Sequence, residues 1–386
     1  MKRIKSQNLL CLLLALSAIL SCATTIFAAG SHAGNNPSTN LDLENAVIDE
    51  VCKRVVESYA EYYTIPKIHA EITKTEQKRD GEFYFVDVSF TKILLASNAS
   101  ELPYIQGMED AAKTIKDTSL KSEIQREIDA RKLEINDLYI GAEQEETASF
   151  CFFFPKASIK ATTPECTMLF MSEFGEMDMA AFSPESRESL YEAGKASVSL
   201  FPQKQPANRD VSSTKTNPSD ATDYDRIDAR DYVRTYSCGT CTTSPHSCRN
   251  TSYTFFNGAD CANFVSQAIH YGGISTETNW EPYTITWINT GFNPEYYGLV
   301  EYMADQGFFF ETANKYKAFA GSIIYWNQQS HVGMVDANDT VTMTYCAHTS
   351  DRKSASFKNW TGATSDTDVK FFVPVWDSYA NQYTPQ

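Results

Sequence analysis

Residues 257–267 read NGADCANFVSQ, and a second motif, SHVGMV, follows at residues 330–335. Asp260 is a residue type that commonly precedes a helix, and apolar side chains recur after it at helical spacing until Gly272. The first motif therefore predicts a short amphipathic helix with Cys261 in its first turn. The second motif predicts the start of a strand.

The predicted position of Cys261 suits a nucleophile. Unpaired N–H groups and the positive end of the helix dipole stabilise an anion there, so a thiol with an ordinary pKa of about 8.5 can ionise near neutral pH. The same N–H groups can bind the oxyanion that forms on an attacked carbonyl. The alternative interpretation is structural, because Cys261 also lies on the apolar side of the helix and small cysteines are frequent in cores.

A histidine supplies the base that such a thiol needs. His331 opens the second motif, and a turn at residues 337–340 leads into another predicted strand that ends near His348. If Asp336 pairs with Val341 across this turn, Cys346 falls opposite His331, and His348 is the diagonal neighbour on the same face. His348 is then the best candidate to orient His331. The alternatives for this third role are Asp336, Asn338, Asp339 and Asp351, and a purely structural histidine at a strand end is the competing interpretation of His348.

The N-terminus has the pattern of an export signal. Three basic residues at positions 2–5 precede an apolar run at residues 9–20, and small residues near Ala28 fit a cleavage site. We therefore expect residues 1–30 to be a signal peptide and the mature protein to be secreted or associated with the cell wall. Lipoprotein anchoring at Cys22 is a less favoured alternative. No later apolar run approaches the roughly 20 residues that span a bilayer, so the mature chain is expected to have no transmembrane segment.

Four motifs, taken in order, resemble a bacterial family. They are Tyr224–Arg226, Gly258–Gln267, His331–Val335 and Tyr345–Arg352. Together they resemble the putative amidase domain family of Gram-positive bacteria, which is similar to the wider NlpC/P60 and CHAP groups, and the likeness covers roughly residues 223–377. The resemblance implies an α+β, papain-like fold in which the helix that bears the nucleophile packs on an antiparallel sheet that bears the histidine.

The resemblance also implies roles for single residues. Cys261 would be the nucleophile, His331 the general base and acid, and His348 the orienting residue. Asp260 matches the acidic residue that usually precedes the cysteine. With the export signal, this implies a cysteine amidohydrolase whose partner is a peptide or peptidoglycan substrate, acting on amide bonds in stem peptides. No cofactor is expected.

A cysteine-rich segment departs from the family pattern. Cys238, Cys241, His246 and Cys248 have spacings compatible with a small zinc site. Disulfides form outside the cytosol, however, so export favours a disulfide within this group, with its connectivity left open, and no metal site is predicted. Three further cysteines are core or disulfide candidates: Cys52, Cys151 and Cys166.

Composition divides the mature chain into two domains and a linker. Residues 201–223 are rich in Pro, Asn, Ser and Thr and lack apolar periodicity, which is typical of a linker. Residues 42–200 before it predict an α+β domain, and residues 224–380 after it the papain-like amidase domain. In the first domain the pattern predicts a helix, a hairpin that turns at residues 79–81, a charged helical stretch that breaks near Asp117, and strands from residue 138. It carries no recognisable chemistry.

Charge and aromatic content limit the partners. The chain has 33 Lys and Arg residues against 49 Asp and Glu residues, a formal net charge of −16. Phosphate backbones repel such a protein, so nucleic acid is not an expected partner. Trp287 and Trp326 lie near the motifs and are predicted pocket walls that bind substrate, although most aromatic side chains pack in cores. The sequence does not indicate an oligomeric state.

Two other functions remain open from the sequence. A non-catalytic cell-wall binding or structural module could keep the same fold, but it would not need Cys261, His331 and His348 together. A zinc-dependent hydrolase built on the cysteine-rich segment would lose its activity to chelators.

Overall fold

The computed structural model describes residues 37–155, 166–172, 175–201, 222–239, 248–291, 297–327, 330–349, 351–357 and 369–384. The chain divides after Asp49 into two compact units, and all strands of the described ranges lie in the larger unit, residues 50–386. The predicted signal peptide, with Cys22, and most of the predicted linker lie outside the described residues.

The described residues form nine α-helices and thirteen strands. The helices are α1 (Pro37–Tyr59), α2 (Pro103–Thr114), α3 (Thr118–Leu138), α4 (Met179–Phe182), α5 (Arg187–Leu200), α6 (Arg226–Tyr236), α7 (Cys261–Tyr271), α8 (Ile285–Ile288) and α9 (Leu299–Asp305). The strands are β1 (Tyr63–Gln77), β2 (Gly81–Leu94), β3 (Gln144–Pro155), β4 (Thr167–Ser172), β5 (Gly175–Asp178), β6 (Phe309–Thr312), β7 (Ile323–Trp326), β8 (His331–Asn338), β9 (Met343–Ala347), β10 (Arg352–Phe357), β11 (Val369–Pro374), β12 (Trp376–Asp377) and β13 (Gln382–Tyr383).

One mixed sheet of eleven strands organises the larger unit. Its main path runs β1-β2-β3-β10-β9-β8-β7-β11-β6, and β4 and β5 extend it beside β3. Neighbours are antiparallel except β3 and β10, which pair in parallel where Ala355 lies opposite Thr147. The predicted α+β class is confirmed. Strands from both sides of the predicted linker share this sheet, and the predicted domain boundaries stay a prediction.

Two apolar clusters lie in the C-terminal half of the sheet. Helices α6 and α7 bury their apolar faces in a cluster that includes Phe264, Tyr325 and Met334. The other cluster is formed by side chains such as Trp326 and Tyr345 from alternate positions of the same strands. Helix α7 is thus held against the sheet that carries the histidine motif.

The turn between β8 and β9 is buried under the first strands of the chain. The Tyr63 hydroxyl donates to the carboxylate of Asp339 at 2.8 and 3.0 Å. Lys92 forms an ion pair with Glu146 and also donates to the Thr342 hydroxyl at 2.5 Å, and both charged side chains are almost fully buried. Burying one charge without its partner is strongly unfavourable, so Lys92 and Glu146 must be buried together. The bond from Lys92 to Thr342 links this pair to the turn between β8 and β9.

A second buried ion cluster joins α3 to α6. Arg226, with no exposed surface, contacts Glu134 at 3.1 Å and Asp377 at 2.8 Å. These interactions fix the start of α6, whose first residue is Arg226. Residues far apart in the sequence therefore position the helix that ends beside the histidine strands.

Several predicted elements are confirmed. Helix α7 begins at Cys261 and ends before Gly272, and Gly273 takes a φ of +112°, a conformation that favours glycine. The hairpin of β1 and β2 is present, and Asp117 caps α3 at the predicted break by accepting from the Leu120 N–H. The expected strand from residue 138 was wrong at its start, because α3 continues to Leu138 and β3 begins at Gln144.

The predicted register of β8 and β9 was also wrong. Cys346 pairs with Met334 rather than with His331, and the ladder shifts between Val335 and Ala337. Asp336 lies at this bulge, where its carboxylate accepts from the Thr344 hydroxyl at 3.1 Å. The main cause of the error is the position of the turn, because Asn338 pairs with Met343 across residues 339–342, whereas the predicted turn covers residues 337–340. The bulge changes the pairing by only one further residue.

Candidate active site

The start of α7 places Cys261 at the first helical position, with 7% of its surface exposed. The N–H groups of the first helical turn have no partner four residues earlier. Asp260 occupies the N-cap position, but its carboxylate makes no capping bond to the helix backbone. The predicted place of Asp260 directly before the helix is confirmed, while its side chain binds other partners.

Cys261 is hydrogen-bonded to His331, and this contact brings together the two central residues of the sequence prediction. Burial alone raises the pKa of the Cys261 thiol. The hydrogen bond and positive charge of His331 oppose it, helped by the backbone N–H groups of Val332 and Ala262, so the net pKa of Cys261 is lowered. The arrangement favours a thiolate.

His331 is the first residue of β8 and lies opposite Trp326, the last residue of β7. The centroids of the two rings are 5.3 Å apart. His331 is 7% exposed, so the imidazole is largely shielded from water at the end of a central strand, beside the start of α7. A shielded imidazole next to a thiol can accept the thiol proton and return it to a leaving group.

His348 does not bind His331 through its ring nitrogens. Its Nδ1 lies 2.7 Å from Oδ2 of Asp260, and its Nε2 lies 2.8 Å from the carbonyl oxygen of Tyr236. The ring also stacks on Phe264, with centroids 3.6 Å apart and planes 9° apart. The expected hydrogen bond from His348 to His331 is therefore corrected, because the strand register turns His348 towards the residue that precedes the nucleophile.

The four alternatives for the residue that orients His331 also have other partners. Asp339 accepts from Tyr63, and Asp336 accepts from Thr344 and pairs with Arg234. Asn338 donates to the carbonyls of Lys315 and Ala318. The fourth, Asp351, is 3.5 Å from Arg249 Nη2.

Asp260 is the centre of a polar network around the helix start. Its Oδ1 accepts from the Phe256 N–H at 3.0 Å and from the Asn263 amide at 2.8 Å, while its own N–H donates to the Thr349 hydroxyl at 3.0 Å. Asn263 in turn accepts from the Trp287 indole N–H at 2.9 Å. These bonds fix the backbone on both sides of Cys261.

Trp287, a predicted pocket wall, has no exposed surface and packs 4.8 Å from Trp280 between ring centroids. Its visible contribution is the bond to Asn263 and the packing of the core beneath α7. Contact between Trp287 and a substrate stays a prediction that this closed geometry does not favour.

Trp326, the other predicted pocket wall, lines a cavity of about 400 Å³. Tyr345 and Phe357 lie beside it on the same wall. Trp326 therefore contacts both this cavity and His331.

A disulfide joins Cys238 to Cys248 and bears on the same site. Cys238 lies two residues after Tyr236, whose carbonyl oxygen is hydrogen-bonded to His348. Cys248 precedes Arg249, whose guanidinium lies 3.9 Å from Asp260 and 3.5 Å from Asp351. The expected disulfide is confirmed. Cys241 and His246 lie outside the described residues, and no group of three or more His, Cys, Asp or Glu side chains in the described ranges could hold a metal ion.

Cys346 shows how differently a second thiol of this sheet behaves. It has no exposed surface, and burial raises its pKa to about 12. Only Cys261 of the two combines a lowered pKa with a histidine partner. This contrast separates the candidate nucleophile from a core cysteine.

Sequence reasoning missed several residues of this network. Asn263 stands inside the quoted motif, but its polar side chain in a helix rich in buried residues was the only signal of a role. The Tyr236 carbonyl is invisible to any side-chain pattern. Arg249 could have been noticed as a basic residue beside a cysteine, although its carboxylate partners are far away in the sequence.

Comparison with known proteins agrees with the motifs. Residues 223–373 match the family described as "Putative amidase domain", which confirms the resemblance over this part of the chain. That description indicates amide hydrolysis. Among curated proteins, the "Uncharacterized protein YjcM" of Bacillus subtilis (strain 168) is 43% identical over 42 residues, which are 11% of this chain and 10% of that protein. The match thus spans about a tenth of the relative's length.

No solved structure gives a significant match to the chain. Within the ranges that the structure describes, no helix is long and apolar enough to cross a bilayer.

Proposed function

We propose that this protein is an exported cysteine amidohydrolase that cleaves amide bonds in peptidoglycan stem peptides. The observation that carries the proposal is the hydrogen bond between Cys261 and His331 at the start of α7, with its lowered thiol pKa. Both residues lie within residues 223–373, the part of the chain that matches the amidase family.

Acylation begins when the Cys261 thiolate attacks the carbonyl carbon of the amide. The C–S bond forms as the carbonyl becomes a tetrahedral oxyanion, and His331 holds the proton that the thiol has lost. His331 then gives this proton to the amide nitrogen, the C–N bond breaks, and the amine leaves. The product at this stage is a thioester on Cys261.

Deacylation reverses these roles with water. His331 takes a proton from the attacking water, the tetrahedral intermediate collapses, and the thiolate of Cys261 leaves the carboxylic acid product. Backbone N–H groups in the first turn of α7 are the donors best placed to bind the oxyanion, since they have no intrahelical partners. The net reaction adds one water to one amide.

Asp260 and His348 are assigned as positioning residues in this mechanism. Their 2.7 Å contact ties the residue before the nucleophile to the strand segment after β9. Because a shift of about 1 Å at a reacting atom can reduce a rate about 100-fold, a fixed helix start matters for attack. His348 thereby keeps a place in the site, acting on the nucleophile helix rather than on His331.

Two features support the substrate class and the location. The family description names an amidase, and the leader-like pattern at residues 1–30 fits a protein that meets the cell wall. The acidic composition argues for recognition inside a cleft rather than by long-range attraction to anionic wall polymers.

Peptidoglycan fragments and mass spectrometry test the proposal. The protein lacking residues 1–30 should release new amines, and Cys261→Ala should release none above background. Cys166→Ala is the matched control, because Cys166 is an exposed free thiol outside the site, and it should retain full activity. No product from any of the three proteins would contradict the substrate, and equal product from Cys261→Ala would contradict the nucleophile.

A further inference from the structure

A cavity of about 400 Å³ lies where the N-terminal strands of the large sheet meet its C-terminal strands. One wall comes from β1 to β4, and the other from β7, β9 and β10. The first four strands lie outside residues 223–373, so this wall is not part of the matched family domain.

The wall from β1 to β3 is polar because of the strand register. Glu71 lies opposite Asp87, and Asp87 lies opposite Ser149. Side chains that face each other across strands share one side of the sheet, with Cβ atoms about 5 Å apart. The three side chains therefore form a polar row, and all of them line the cavity. The Ser149 hydroxyl donates to Asp87 at 2.6 Å, which orients that carboxylate.

The opposite wall is aromatic. Trp326 lies 5.3 Å from Tyr345 and 6.3 Å from Phe357, measured between ring centroids. All three line the cavity, and they belong to one apolar cluster. Since the Trp326 ring also lies 5.3 Å from His331, a group held in this cavity would belong to a substrate whose amide reaches the catalytic pair.

We infer that this cavity is a subsite for a primary ammonium group of the substrate peptide, and the inference rests on the proposed function. Aromatic faces attract cations through their quadrupoles, and two carboxylates on the facing wall add a charge-assisted hydrogen-bond site. Arg352 and His69 also line the cavity. In the parallel register, Arg352 precedes Ala355 by three residues, whereas Ser149 follows Thr147 by two, so the backbone of Arg352 is offset along the strands from that of Ser149.

The inference assigns a role to the N-terminal strands. The family domain supplies Cys261, His331 and the aromatic wall, and β1 and β2 supply the carboxylates. Amine-bearing substrates would therefore be selected by a region that carries no catalytic group.

Binding to a catalytically inactive protein tests the subsite apart from turnover. Cys261→Ala is titrated by calorimetry with a stem peptide that has one free side-chain amine, and with the same peptide acetylated on that amine. We expect the free amine to bind at least 10-fold more tightly. Adding Glu71→Gln and Asp87→Asn should reduce the preference to within twofold, whereas adding Glu145→Gln, an exposed residue of β3 outside the cavity lining, should keep it.

Turnover by the protein with Cys261 intact separates failure of the subsite from failure of the function. Binding that prefers the free amine without any hydrolysis would overturn the proposed function and leave the subsite standing. Hydrolysis with equal binding of both peptides, or an amine preference that persists in the double carboxylate variant, would overturn the subsite alone. Absence of binding by both peptides would overturn the subsite as well.

Discussion

Asp260 and His348 are joined by a 2.7 Å contact between Oδ2 and Nδ1, which links the residue before the candidate nucleophile to the strand segment after β9. The His348 ring is held in addition by the Tyr236 carbonyl and by stacking on Phe264. The start of α7 is thus braced from α6 and from the sheet. This arrangement differs from one in which a third residue orients the catalytic imidazole directly.

Replacing Asp260 with Asn should lower kcat about 10- to 100-fold, because the bond that fixes the helix start loses its charge while the side chain keeps its shape. KM should change much less. Steady-state kinetics on a peptide substrate measures both constants, and thermal unfolding shows whether the variant is folded. An Asp260→Asn protein that is folded and fully active would contradict the positioning role.

The hydrogen bond between Asp260 and His348 predicts a similar loss of kcat when His348 is changed. His348→Phe keeps the stacking on Phe264 but loses both hydrogen bonds, so its kcat should fall to a similar extent. In the double variant with Asp260→Asn the two losses should not add, since one interaction has been removed twice. Additive losses would show that the two residues act independently.

The lowered pKa of Cys261 predicts how fast the thiol reacts at different pH values. Alkylation by iodoacetamide should follow ionisation with a midpoint below that of an ordinary thiol, because only the thiolate reacts. Cys346, with a pKa of about 12, should react only after unfolding. In His331→Ala the burial of Cys261 is no longer opposed by the imidazole, so the midpoint should rise. Peptide mapping by mass spectrometry follows both sites, and an unchanged midpoint would contradict the thiol–imidazole pair.

The lowered pKa of Cys261 also determines how the free energy of unfolding changes with pH. A thiol whose pKa is lower in the folded state contributes stability that is fully present above the pKa of the unfolded thiol. It is lost as the pH falls through the lowered value. The stability difference between the protein and Cys261→Ala should therefore grow as the pH rises through this window. Denaturant unfolding at several pH values measures it, and a difference that shrinks would have the wrong sign.

Reduction of the Cys238–Cys248 disulfide should lower both stability and activity. For two cysteines separated by 10 residues, loop-closure entropy predicts a loss of about 3 kcal/mol of unfolding free energy. Activity should fall further than stability alone requires, because the two ends of this loop carry the Tyr236 carbonyl and Arg249. The double variant Cys238→Ser/Cys248→Ser, assayed where it is fully folded, separates the two effects. Full activity in that protein would show that the disulfide only stabilises the fold.

The buried ion pair of Lys92 and Glu146 predicts that the first strands and the region that matches the amidase family unfold together. Lys92→Met should cost about 3–5 kcal/mol, because it leaves the Glu146 carboxylate buried without its cation. Changing both residues to apolar ones of similar volume should recover much of this loss. Urea unfolding followed by tryptophan fluorescence should show the effect, because all five tryptophans lie at residues 280–376. A Lys92→Met protein whose tryptophan transition is unchanged would indicate two separately stable parts.

Local patterns were enough to predict the pair of Cys261 and His331. The start of a helix depends on residues that are close in sequence, and a strand shows itself by a short apolar or alternating run. The role of His348 was beyond these patterns, because the turn lies at residues 339–342, two residues later than predicted, and no period-two pattern shows where a strand stops and its turn begins. The N-terminal wall of the cavity depends on the pairing of Ala355 with Thr147, roughly two hundred residues apart, and such long-range pairing leaves no local signal.

The most direct test of the central claim is the mass of the covalent intermediate. The protein is mixed with a stem-peptide substrate, quenched in acid within one turnover, digested and mapped by mass spectrometry. The account predicts an acyl group in thioester linkage on Cys261, lost with time as the acid product forms and absent from Cys261→Ala. Hydrolysis at an equal rate by Cys261→Ala, or an acyl group on another residue, would contradict it.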